Sequence, residues 1–119
     1  MAKVYGIHEI ELHAGVSEEN FKKFFSEFAK LYEKESGWKV ILLKGDRGQR
    51  AGKYALMYEI KSIKERDRFA PAHNQSSEEL DHWYEEHKEM AEDWSKKWAS
   101  FSPTDTGAHE EYTDYIKLA

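Results

Sequence analysis

An alternating stretch, VYGIHEIEL, spans residues 4–12. One set of its side chains is mainly apolar and contains an imidazole; it comprises Val4, Gly6, His8, Ile10 and Leu12. The other set is mixed and comprises Tyr5, Ile7, Glu9 and Glu11. Because successive side chains of a strand point to opposite faces, the pattern predicts a strand with one buried face. The rest of the chain has to cover that face.

A helix is predicted directly after this strand. Gly15 ends the alternation, Ser17 is a suitable N-cap, and apolar residues then recur at spacings of three and four as far as Gly37. Two further strands, at residues 38–43 and 54–60, are rich in β-branched and aromatic residues. The charged, glycine-rich segment 44–53 between them is predicted to be a solvated hairpin loop.

The second half of the chain supplies one more helix and one more strand. Residues 62–74 are predicted to form a short helix or irregular segment, and a long helix with an aromatic stripe should run from Ser77 to Phe101. Residues 112–118 alternate again and predict a closing strand. The order βαββαβ predicts an α+β, ferredoxin-like fold in which a four-stranded antiparallel sheet carries helices on one face. At 119 residues, one domain over residues 1–119 is expected.

Composition excludes several classes of function. Lys and Arg number 18 against 23 Asp and Glu, a net charge of −5, so the basic surplus of a nucleic-acid binder is missing. The sequence contains no Cys, which rules out thiolate metal sites and cysteine nucleophiles. No apolar stretch predicts a signal peptide or a membrane span, so we expect a cytoplasmic protein without a membrane or nucleic-acid partner.

Two segments resemble the dimeric α/β-barrel family: IELHAGVSEENFKKFF at residues 10–25 and YEIKSI at residues 58–63. This family includes antibiotic-biosynthesis monooxygenases, haem-degrading enzymes, a plant polyketide cyclase and plant stress-responsive proteins. The resemblance implies a homodimer formed through the open face of the sheet. As in the cofactor-free members of the family, it also implies a substrate cavity between a subunit's own sheet and helices, where a few histidine or tyrosine side chains handle protons.

The candidate catalytic residues follow from this resemblance. It suggests that His8 faces the cavity beside Gly6 and Ile10. His73, in PAH at residues 71–73, looks like the histidine of the Pro-x-His turn of the cyclase branch, but a competing register places His87 there, and His87 is the preferred cavity histidine. Tyr58 could donate a hydrogen bond to a carbonyl or a developing oxyanion. For His8, the structural alternative is a hydrogen-bonded histidine inside the core.

Aromatic residues are the candidates for the substrate wall, namely Tyr54, Tyr84, Trp94 and Phe28. A wall of this kind suits a small hydrophobic or aromatic molecule, although aromatic core packing is the more frequent reading. No metal site is predicted: His82 and Glu86 have helical ligand spacing, but nothing nearby completes a coordination shell.

These observations predict a cofactor-independent enzyme of the monooxygenase, cyclase or isomerase type that acts on an aromatic or polyketide-like substrate. Two alternatives remain open. One is a non-catalytic dimeric binding or stress-related module whose cavity is filled by its own aromatic side chains. The other is a haem-binding or haem-degrading protein, with His73, His82 or His87 as the iron ligand.

Overall fold

The element order is that of a ferredoxin-like domain with one helix subdivided. A computed structural model describes residues 2–70, 77–104 and 112–119. The strands are β1 (Val4–Ile10), β2 (Lys39–Lys44), β3 (Tyr54–Ile60) and β4 (Thr113–Ile116). The helices are α1 (Glu18–Ser36), α2 (Ile63–Phe69), α3 (Glu78–Glu86) and α4 (Lys88–Phe101). No helix in the described ranges is long and apolar enough to cross a membrane.

The sheet has four strands in the order β2-β3-β1-β4, and each neighbouring pair is antiparallel. β3 therefore lies between β2 and β1, which is the split arrangement of a ferredoxin-like fold. The register places Val4 opposite Ile60 on β3 and opposite Ile116 on β4. The predicted α+β class and the four-stranded antiparallel sheet are confirmed.

Helix α1 begins and ends where the sequence predicts. The side-chain oxygen of Ser17 accepts a hydrogen bond from the backbone N–H of Asn20 at 3.2 Å, which satisfies one of the first-turn donors. At the other end, Gly37 has φ of 79°, a left-handed conformation that glycine adopts without steric cost. These two caps fix the length of α1 and hence the aromatic residues that it presents to the sheet.

The core lies between the inner sheet face and α1, and its buried members are Ile10, Phe21, Phe25, Val40 and Leu56. Helix α4 covers the same face, because Trp98 and Phe101 pack against Phe21 with ring centroids 5.5 Å away. The backbone N–H of His13 also bonds to the carbonyl of Phe101 at 2.8 Å. Both covering helices thus lie on one side of the sheet, as predicted.

The prediction of one long helix after Ser77 is wrong, because the helix is interrupted at His87. This residue has φ −112° and ψ 28°, away from helical values, and it separates α3 from α4. Its Nδ1 lies 2.7 Å from the carbonyl oxygen of Trp83, and its Nε2 lies 3.4 Å from Glu35 Oε2 on α1. The backbone N–H of His87 also bonds to that carbonyl at 3.1 Å, and the N–H of Ala91 bonds to the carbonyl of His87 at 2.9 Å, so α4 begins directly after the bend. Strand β4 is also shorter than predicted, at Thr113–Ile116.

Candidate functional site

A cavity of about 430 Å³ lies between the inner face of the sheet and the helices. This volume is within the usual range for a small-molecule site. Its helical wall is aromatic and carries Phe24 and Phe28 from α1, Trp83 and Tyr84 from α3, and Trp94 and Trp98 from α4. Its sheet wall is more polar and includes Gly6, His8, Tyr58 and Asp114. The cavity thus has a flat apolar side and a side that can form hydrogen bonds.

His8 lies at the centre of the polar wall. Its side chain points inward with Val4 and Ile10 on β1, and the residue is 8% exposed. The imidazole stacks on the ring of Tyr112 at a centroid distance of 5.0 Å and meets the ring of Tyr58 edge-on at 4.9 Å. The two phenol rings hold the imidazole in place on the cavity wall.

A carboxylate and a guanidinium stand beside this imidazole. Arg66 Nη1 donates to Asp114 Oδ2 at 3.2 Å, and both side chains are 22% exposed and line the cavity. Gly6 makes room for this arrangement: a Cβ at Gly6 would come within 2.9 Å of Asp114 Oδ1 and 3.7 Å of His8 Nε2. The carboxylate and the imidazole are therefore neighbours above a residue without a side chain.

The aromatic wall is built by rings that contact one another. Phe28 meets the ring of Trp94 edge-on at 4.8 Å and stacks on Tyr32 at 5.5 Å. Burial raises the pKa of Tyr32 well above its ordinary value, and the nearby phenols of Tyr58 and Tyr84 raise it further. Tyr32 is therefore a neutral phenol at any physiological pH and adds no charge to the wall.

Five of the eight sequence-predicted site residues line the cavity: His8, Tyr58, Tyr84, Trp94 and Phe28. His87 does not, since its ring stacks on Trp83 at 4.4 Å and its nitrogens face Trp83 and Glu35. The expectation that His87 is the cavity histidine is wrong in placement, because the broken helix turns it toward α1. His73 lies outside the described residues.

Tyr54 is also placed differently from the prediction. It shares a face of β3 with Tyr58 but lies at the other end of the strand, away from the cavity wall. Its hydroxyl donates to Glu18 Oε1 at 2.6 Å, and Lys44 Nζ binds the same oxygen at 2.8 Å. Lys44 and then Tyr54 lower the pKa of Glu18, so this exposed carboxylate stays ionised. Tyr54 thus fixes the start of α1 to the hairpin.

Sequence reasoning missed Arg66 and Asp114 as members of the site. Asp114 alternates with Tyr112 on one side of the closing strand, so a carboxylate on an inner face was a readable signal. No local pattern marked Arg66, because its partner is 48 residues away along the chain.

The described residues contain no cluster of three or more His, Asp or Glu side chains that could hold a metal ion. His82 and Glu86 form an exposed pair at 2.8 Å on the surface of α3. Such pairs contribute little to stability and offer no shell for a cation.

No family model matches the chain, and no significant match occurs among curated proteins. Among solved structures, the chain is similar to a dimeric protein of unknown function with a ferredoxin-like fold from Bacteroides fragilis. The two share 15% identity over 95% of this chain and 94% of the other, with a TM-score of 0.45. A likeness of this extent says nothing about activity or assembly, so the resemblance to the dimeric α/β-barrel family stays a prediction.

Proposed function

We propose that the protein is a cofactor-independent enzyme that binds an aromatic or polyketide-like molecule in the cavity and transfers a proton with His8 as general base. The single observation that carries the proposal is the position of His8, a nine-tenths buried imidazole in the polar wall of a ligand-sized aromatic cavity. A flat apolar substrate would lie against the rings of α1 and α4. Its polar end would then face the sheet.

The reaction we propose is an isomerisation or cyclisation that begins with removal of a proton from carbon or from a hydroxyl. A nitrogen of His8 takes the proton; the electron pair of a broken C–H bond moves to the neighbouring carbonyl oxygen of the substrate, and that of a broken O–H bond stays on its oxygen. The phenols of Tyr58 and Tyr112 flank His8 and would donate hydrogen bonds to that oxyanion. The imidazolium then returns its proton to another atom of the product. An oxygenation would begin with the same step: the carbanion would reduce dioxygen, one oxygen atom would remain on the oxidised carbon as a carbonyl, and the other would leave as water.

Deuterium exchange into α-tetralone, an aromatic ketone with exchangeable hydrogens next to its carbonyl, tests this step. NMR in D₂O should show faster exchange with the protein than with buffer alone. His8→Gln should reduce the protein-dependent rate by about 100-fold or more, the usual effect of losing a general base. His82→Gln, at the exposed surface of α3, is the matched control and should keep the rate. An unchanged rate in a folded His8→Gln protein would contradict the proposal.

A non-catalytic binding module is the second candidate, favoured by the packing of His8 between two phenol rings. That packing is also what a structural histidine would have. Ligand binding without any exchange, and with no change in His8→Gln, would decide for this alternative. Adding hemin tests the haem alternative, since a Soret band would indicate an iron ligand in the protein.

The proposal includes a homodimer formed through the outer face of the sheet. An apolar row crosses three strands there, because Met57 pairs with both Ile7 and Ile41, and Ile41 is 39% exposed. On the same face, Leu43 is 41% exposed and Tyr115 is 58% exposed. Covering such a row with a second copy would remove apolar surface from water.

Native mass spectrometry tests the dimer. Ile41→Lys should shift the protein to a monomer, because the charge would have to be buried in the interface. Ile63→Lys is the matched control, since Ile63 is 37% exposed but lies on α2. A wild-type monomer at micromolar concentration, or equal effects of the two substitutions, would refute this part of the proposal.

A further inference from the structure

Asp114 occupies a special place in the cavity wall. It lies on β4 directly opposite Gly6 of β1, and it faces inward between Thr113 and Tyr115, which are exposed. Its side chain is 22% exposed and lines the cavity. A half-buried carboxylate inside an aromatic cavity has to be stabilised by hydrogen bonds.

Only one of the two carboxylate oxygens has such a bond in the described part of the chain. Oδ2 accepts from Arg66 Nη1 at 3.2 Å. Oδ1 instead lies over Gly6, 2.9 Å from the point that a Cβ would occupy, with His8 Nε2 3.7 Å from the same point. A carboxylate oxygen has two acceptor sites, so Oδ1 can take a hydrogen bond from a group that enters beside His8.

The charges around Arg66 decide what kind of group can enter. Arg66 Nε also donates to Asp67 Oδ1 at 2.9 Å, so two carboxylates share one guanidinium. Among the described residues, Arg66 supplies the cationic side chain of the cavity wall, and no Lys lines it. A ligand carboxylate at this place would meet an excess of negative charge, whereas a hydroxyl would meet an acceptor.

We propose that Asp114 is a specificity-determining residue: its Oδ1 accepts a hydrogen bond from a hydroxyl of a neutral aromatic ligand beside His8, and its charge excludes aromatic carboxylates. The inference rests on the proposed function, since it takes the cavity as the ligand site. Gly6 is what brings the carboxylate and the imidazole to the same end of the ligand.

Equilibrium dialysis with three naphthalenes of similar size tests the proposal. 2-Naphthol has a hydroxyl donor, 2-methoxynaphthalene has the oxygen but no donor, and 2-naphthoate carries a negative charge. 2-Naphthol should bind about tenfold or more tightly than 2-methoxynaphthalene, the value of a hydrogen bond to a charged acceptor. 2-Naphthoate should bind most weakly.

Asp114→Asn and Asp67→Asn form a matched pair of variants, because each removes one carboxylate from Arg66 but only Asp114 lines the cavity. Asp114→Asn should reduce the preference for 2-naphthol over 2-methoxynaphthalene and should strengthen binding of 2-naphthoate by about tenfold. Asp67→Asn should leave the order of the three ligands as in the wild type.

Three results would overturn the inference. Equal affinity of the wild type for 2-naphthol and 2-methoxynaphthalene would show that no donor is recognised, while the cavity as a ligand site would still stand. Equal changes of the ligand affinities in the two variants would show that the effect comes from removing a carboxylate partner of Arg66, and not from Asp114 itself. No binding of any naphthalene would refute the proposed ligand site and this inference together. If Asp114→Asn does not fold, Gly6→Ala replaces it: its Cβ would lie 2.9 Å from Asp114 Oδ1, so the preference for 2-naphthol should fall, and an unchanged preference would overturn the inference.

Discussion

Truncation of Phe21 measures how much of the fold depends on its aromatic core. Phe21 is 0% exposed, and its ring lies 5.5–6.4 Å, centroid to centroid, from those of Phe24, Phe25, Trp98 and Phe101. Replacing a buried Phe by Ala costs about 3–5 kcal/mol, since the lost transfer free energy is joined by the cost of a cavity. Rings held from two helices cannot collapse into that space. We therefore expect about 4 kcal/mol, a large part of the roughly 5–15 kcal/mol that stabilises a domain.

Phe24→Ala is the matched control for this substitution. Phe24 belongs to the same cluster and the same helix, but it lines the existing cavity. Its removal enlarges a void that is already present, so the cost should be close to the transfer term alone, about 1.5–3 kcal/mol. Phe24→Ala should also change the affinity of the folded protein for a ligand. Phe21→Ala should lower only the fraction of protein that is folded.

Urea unfolding followed by tryptophan fluorescence and circular dichroism, at one protein concentration, supplies both values. With a slope of about 1.5 kcal/mol/M, the loss at Phe21 moves the midpoint down by roughly 2–3 M. Equal losses at the two positions, or a larger loss at Phe24, would refute the distinction between a closed core and a cavity wall.

Three further outcomes follow from individual residues. Burial raises the pKa of Tyr32, so the phenol ionises at lower pH in the unfolded protein than in the folded one. The free energy of unfolding should therefore fall as pH rises past the ordinary tyrosine pKa. Unfolding followed by circular dichroism should show a less steep fall in Tyr32→Phe than in Tyr115→Phe, the control at an exposed position. Gly37→Ala should cost about 1–2 kcal/mol in urea unfolding, because its φ of 79° is left-handed; no loss would contradict this cap. Ser17→Ala should cost about 1 kcal/mol, whereas Ser17→Asn should not, since both Ser and Asn can accept the N-cap bond.

Most of the fold was predictable from the sequence. The alternation in residues 4–12 identified the inner face of β1, including His8, and β3 begins and ends at the predicted residues. The limits of α1 also followed from Ser17 and Gly37. These features depend on contacts a few residues apart, which strand and helix periodicity report directly.

The site was predictable only in part. Periodicity places a residue on a face, and it correctly brought His8, Tyr58 and Phe28 to the cavity. It could not show that Tyr54, on the same face as Tyr58, lies beyond the cavity and is bonded to Glu18. Whether a residue on the inner face lines the cavity depends on its position along the strand. The helices that cover the sheet determine which part of the strand borders the cavity.

The sequence by itself therefore determined the strands, the caps of α1 and the inward orientation of His8, because each is a local property of the backbone and its pattern. The tertiary structure alone decided three things: the placement of His87 against Glu35 of α1; the joining of Arg66 to Asp114 across 48 residues; and the space over Gly6 that sets Asp114 beside His8. Each requires side chains from distant segments to meet. Only the packed sheet and helices bring those segments together.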